Sequence, residues 1–230
     1  MSTRQDYITA IGNMVSGELP LGEAEKILAI GMAMKQHSKQ KPLIVVEDEN
    51  GDGGFDYAVT DLASWSDGFS VMKQVEYPVD DDDETPDVLE DGAWMVYVKP
   101  TGKFLRFLED TPASGESARV TYAAVHICDD STDTVDVFDV EAVQALASAF
   151  FCDMLATYYA QNQDSVIDAD SVDHTSKSKD YAARAAKNRK IYFDHMGLKE
   201  GKPKPACHVQ DQDVIYPSGL DRLTHPRKRR

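Results

Sequence analysis

The residues best equipped for chemistry lie in Asp168-Ala169-Asp170-Ser171-Val172-Asp173-His174, three carboxylates and an imidazole within seven positions. Such a set can hold a hard divalent cation or exchange protons near neutrality. Asp and Ser ahead of a helix serve equally well as caps and loop hydrogen-bond acceptors, and no second cluster in the chain completes a metal shell. A second acidic stretch, Asp48 to Asp56, matches an EF-hand loop at its positions 1, 3, 5, 6 and 9, but Val59 stands where the bidentate glutamate belongs. Its Asn50-Gly51 and Asp52-Gly53 pairs favour a hairpin turn instead.

Other catalytic templates fail. Gly102-Lys103 has no phosphate-loop glycine before it and is followed by Phe104 rather than Ser or Thr. No G-x-S-x-G or G-x-G-x-x-G occurs, and His37, His126, His174, His195, His208 and His225 form no H-x-x-x-H pair. Cys128, Cys152 and Cys207 are isolated, which argues against a cysteine zinc site or a disulfide framework. Cys152, within an apolar helical pattern, reads as a small buried hydrophobe. The residues thus predict no catalytic residue, no metal and no cofactor.

Charge is segregated along the chain. Residues 41–140 carry 24 acidic and six basic residues, a net of −18, whereas the whole chain has −16 and ends in Arg227-Lys228-Arg229-Arg230. An acidic middle repels nucleic acid, and a basic end attracts an acidic partner or DNA. The N-terminus has no apolar signal core, and the apolar stretch Ala145 to Ala160 is broken by Ser148, Cys152, Asp153 and Thr157. No membrane partner is therefore expected, and the chain should be made and kept in a cytoplasm.

The elements that would position these residues follow from periodicity. Tyr7, Ile8, Ile11, Met14 and Val15 recur at helical spacing, and Ile27, Ile30, Gly31 and Met34 form a second stripe from Glu23. Leu43-Ile44-Val45-Val46 and Tyr57-Ala58-Val59, flanking the Gly- and Asp-rich turn, predict a β-hairpin. Further strands are expected at 70–77, 94–98, 104–108 and 119–127, with a tight turn at Pro100-Thr101-Gly102 and a looser one over 112–115. Asp80 to Glu84 reads as an exposed loop. Helix returns after Asp139, an N-cap residue, with Val143, Leu146, Ala147, Phe150, Met154 and Tyr158 on one stripe. A last helix over 176–196 carries Tyr181, Ala185, Tyr192 and Met196 on one face, Lys179, Arg184, Lys187 and Lys190 on another, and stops at Gly197. The fold class is α+β. Residues 1–40 are N-terminal helices, 41–138 an inserted small antiparallel β-domain, 139–200 the C-terminal helices of the same bundle, and 201–230 an extended arm.

The stretch from Trp94 to Leu198 resembles the head–tail connector (adaptor) proteins of tailed bacteriophages. The resemblance is carried by Trp94-Met95-Val96-Tyr97, Gly102-Lys103-Phe104-Leu105-Arg106-Phe107, Ala118-Arg119-Val120-Thr121-Tyr122 and His126. It continues through Ala142 to Ala147, Asp168 to Ser176, and Tyr181 to Ala186 with Tyr192. It covers about half of the chain closely and the first helices only in general character, and the β insertion is larger than in compact helical members. The resemblance implies a non-enzymatic ring, usually of twelve subunits, stacked below the portal in the neck of the virion. That ring would extend the DNA channel without binding DNA specifically and receive the next tail or neck protein. The arm would reach the portal through Ile215, Tyr216 and Leu220 as apolar anchors and Arg227, Lys228, Arg229 and Arg230 as charged ones. Arg184, Lys187 and Lys190 would face the adjacent subunit. Two other readings stay open: an acidic DNA mimic that inhibits a nucleic-acid-binding enzyme, and a metal-dependent hydrolase built on Asp168, Asp170, Asp173 and His174.

Overall fold

A computed structural model describes residues 2–15, 20–80, 86–90, 92–161 and 174–200. Two helices open the chain. The first, α1 (Arg4–Met14), begins where the Asp6 carboxylate accepts from the Thr3 N–H at 2.7 Å, and the second, α2 (Glu23–Gln40), where Glu25 does the same for Gly22 at 2.9 Å. Each contact satisfies an N–H that the helix itself leaves without a partner. The long α3 (Val140–Gln161) and α4 (His174–His195) close the bundle, and α3 packs against all three other helices. Its residues Leu146, Phe151, Cys152 and Leu155 are fully buried with Tyr7 and Ile11 of α1, Ala29 and Ala33 of α2, and Ala185 and Tyr192 of α4. Among the described residues α3 is the one helix long and apolar enough to cross a membrane, contrary to the expectation of no such stretch; much of its surface is buried inside the bundle.

The end of α4 is chemically explicit. Gly197 adopts φ +64°, its N–H donates to Asp194 O at 3.2 Å, and the Leu198 N–H donates to Phe193 O at 2.8 Å. These two bonds form a Schellman motif, and Leu198 and Phe193 join the same apolar core.

Among the described residues six strands lie between α2 and α3: β1 (Leu43–Asn50), β2 (Asp56–Ala58), β3 (Val71–Glu76), β4 (Trp94–Lys99), β5 (Gly102–Phe107) and β6 (Ser117–Ala124). They form two three-stranded antiparallel sheets, ordered β1-β6-β3 and β2-β5-β4. The sheets share one core of Tyr57, Val59, Met72, Val75, Leu105, Phe107, Val120 and Tyr122. The expected 100–102 turn is present, since Lys99 pairs with Gly102 across a two-residue loop.

The expected hairpin between 43–46 and 57–59 does not form. Strand β1 pairs along its whole length with β6, from Leu43 opposite Ala124 to Asn50 opposite Ser117, and β2 pairs with β5. Residues 51–55 instead carry the chain from one sheet to the other. Gly51 N–H donates to Glu116 O at 2.8 Å and Gly53 N–H to Pro112 O at 3.0 Å. A Cβ on Gly51 would lie 2.4 Å from Ala113 O, so glycine is required there by close approach of two backbones. Asn-Gly and Asp-Gly chemistry describes a local bend and says nothing of which sheet the next strand joins.

Candidate subunit interface

The residues of α4 marked by the sequence pattern lie on its exposed surface. Arg184, Lys187 and Lys190 recur every three residues and are all exposed, beside exposed Ala183, Ala186 and Ile191. Among the described residues none of the three forms an ion pair, although Arg184 lies over the Tyr181 ring at 5.7 Å. Arg189, on the flank of the same helix, is used differently. It binds Asp153 of α3 and lies 5.9 Å from the Phe150 ring, so it ties α4 to the bundle. Sequence spacing could not separate the anchoring arginine from the free lysines, because the distinction depends on where α3 lies.

The β region shows the opposite balance. Of its six basic residues, Lys99 and Arg106 both bind Asp56, Lys103 binds Asp67 at 2.9 Å, Arg119 binds Asp48 at 2.8 Å, and Lys41 binds Asp139 at 2.8 Å. The bidentate Arg106 contact, at 2.6 and 2.7 Å, and the Lys99 bond hold the Asp56 carboxyl down to about 2. With five of its six cations engaged inside the chain, the acidic surplus of this region is left uncompensated at the surface. Asp87, Glu90 and Glu109 line one open cleft of about 560 Å³ beside Tyr77 and Leu89.

What holds the two regions in register is a buried polar junction that sequence reading missed. His37 of α2, fully buried, places Nδ1 3.2 Å from the Tyr192 hydroxyl of α4 and its ring 5.0 Å from that of His126. His126 follows β6, and its backbone N–H donates to the Ser38 hydroxyl at 2.9 Å while its Nε2 lies 2.9 Å from Lys41 O. Asp139 stands at the expected N-cap position of α3, where its carbonyl accepts from the Val143 N–H at 2.9 Å; its carboxylate in addition accepts from Lys41 Nζ and stands 2.8 Å from His195 Nε2 at the end of α4. Burial pushes the Asp139 carboxyl up, but the hydrogen bonds from Lys41 and His195 outweigh it and the group sits below the usual carboxylate range. Burial, reinforced by the neighbouring His126, lowers His37 to about 4, so its imidazole is neutral near pH 7. The histidines carried no sequence signal because each stands on a different element. Their chemistry is that of a joint: the Ser38 hydroxyl donates to Met34 O while accepting from His126, so the junction holds no free nucleophile at that hydroxyl.

The remaining expectations fall elsewhere. Asp168, Asp170 and Asp173 lie outside the described residues, and His174 opens α4. Ile215, Tyr216, Leu220 and Arg227 to Arg230 also lie outside them, as does the acidic run 81–84. Neither a model of any known protein family nor any curated protein matches this chain.

Proposed function

We propose that this chain is a structural, non-enzymatic subunit that assembles head-to-tail into a ring in the neck of a tailed phage, between the portal and the next tail component. The observation that carries the reading is the polarity of the subunit. Among the described residues Arg184, Lys187 and Lys190 of α4 form no ion pair, while the cations of the β region are largely neutralised within the chain and leave its acids in surplus. Opposite charges on different surfaces of one subunit favour a heterologous contact, the kind that closes into rings. The resemblance of Trp94 to Leu198 to head–tail connectors supports the same reading. An acidic channel wall also suits a conduit, since each phosphate neutralised by a cation would add affinity for DNA and retard its passage.

In this reading Arg184, Lys187 and Lys190 meet the acidic surface of the neighbouring subunit, and the arm beyond Gly201 attaches the ring to the portal through Ile215, Tyr216, Leu220 and Arg227 to Arg230. The paired variant Lys187→Glu/Lys190→Glu tests the contact. All substituted positions are exposed, so the variant should keep its circular dichroism and melting temperature while ring formation on portals weakens. Equal assembly of variant and wild type would remove charge pairing from the account. Truncation after Gly201 should preserve helix content and abolish attachment to portals, and undiminished portal binding would make the arm dispensable.

The uncompensated acidic surface also favours a second reading, an acidic mimic of DNA. Competition with duplex DNA for a nucleic-acid-binding enzyme, by a chain that stays monomeric, would select that reading over the ring.

A further inference from the structure

The most exposed aromatic side chain of the described residues is Phe138, 84% accessible, and beside it Val137 is 77% accessible. These two are not part of a frayed loop. Val135 on one side and Asp139 on the other are buried, Asp133 accepts from the Val135 N–H at 3.0 Å, and Asp136 accepts from the Phe138 N–H at 3.3 Å while holding Lys41 at 3.2 Å. The pair is therefore a fixed apolar knob, flanked by the carboxylates of Asp136 and Glu141. A contact made by a preorganised loop loses little conformational entropy on docking.

The same molecule carries a matching recess. A groove of about 650 Å³ lies between α2 and the 63–69 segment, lined by Trp65, Phe69, Val125 and Ile127 and bordered by Lys35 and Lys39. Among the described residues neither lysine forms an ion pair, in a chain whose net charge is −16. An apolar floor with two free ammonium groups fits an apolar segment flanked by acids. The chain's own surface offers such a segment, and its exposure shows that it is not seated in the groove of its own subunit.

We propose that the Val137–Phe138 knob of one copy of this chain seats in the Lys35–Lys39 groove of a second copy, with Asp136 and Glu141 beside the two lysines. This deepens the ring reading by naming a second contact between subunits, and it rests on self-association rather than on the identity of the particle. Insertion of a single apolar residue of one subunit into a pocket on another is sufficient to drive such assembly.

The test is sedimentation velocity over a concentration series, on the full chain. Phe138→Ser and the pair Lys35→Glu/Lys39→Glu alter exposed side chains, and each should weaken self-association about tenfold or more with unchanged melting temperature. A mixture of the two variants should form a one-to-one heterodimer, because the knob-bearing copy still meets an intact groove. Wild-type assembly in both variants would overturn the proposal and leave the ring reading standing. Knob-dependent dimers that never close on a portal would uphold the proposal and sink the ring reading. A wild-type chain that is monomeric throughout, with and without portal, would overturn both.

Discussion

Single side chains at the junction set how this fold responds to pH. His37 is neutral in the folded chain, with its pKa lowered from 6.5 to about 4. Between these two values the unfolded chain takes up a proton that the folded one refuses, so stability present above pH 6.5 is lost as pH falls toward 4, by about 1.4 kcal/mol per pH unit at most. Asp139 acts lower: its depressed carboxyl loses its contribution only as pH falls below the ordinary carboxylate value. The variant His37→Gln keeps a polar partner for the Tyr192 hydroxyl but cannot titrate. Its melting temperature should therefore fall less than that of wild type between pH 6.5 and 4.5, and parallel curves would contradict the assignment. Cys152 offers a second check at this scale. It is fully buried, and burial pushes its thiol up to about 11, so a thiol reagent should leave it unlabelled until denaturant is added.

At the scale of elements, the helices and strands were legible because each is written in a local period. Of the first expected stripe Tyr7, Ile8, Ile11 and Val15 are buried and Met14 is exposed; of the α3 stripe Val143, Leu146 and Ala147 are buried, Phe150 and Met154 are half-buried and Tyr158 is exposed, while the neighbouring Phe151 and Leu155 are fully buried. Strand partners were not legible. Adjacent apolar runs around a Gly-rich bend imply a hairpin, yet β1 finds β6 some 70 residues away, where Asp48 meets Arg119 and Glu47 meets the Tyr122 hydroxyl at 2.7 Å. The crossover at Gly51 is the element-level prediction. Gly51→Ala places a methyl carbon against Ala113 O and Pro112, so it should destabilise the chain by roughly 1–3 kcal/mol in denaturant unfolding. Gly31→Ala, with open space around the added carbon on α2, should be neutral or stabilising. Equal stability of Gly51→Ala and wild type would mean that the two backbones are free to move apart.

For the whole molecule, what the chain alone conveyed about the site was composition: the acidic middle and a basic helix face. It could not convey that Arg189 anchors while Lys187 and Lys190 form no ion pair among the described residues, nor that His37, His126, His195 and Asp139 converge, because those facts arise only when α2, β6, α3 and α4 are packed. Nothing in the sequence pattern marked Val137–Phe138, which stand exposed between buried Val135 and Asp139. These features support the proposal that copies of this chain close into a ring on a portal. The most direct measurement is negative-stain imaging of the purified full chain, alone and mixed with its portal. The account predicts closed rings of uniform diameter, coaxial with the portal and open at the centre. Single 25.5-kDa subunits in both samples, with portals left bare, would contradict it.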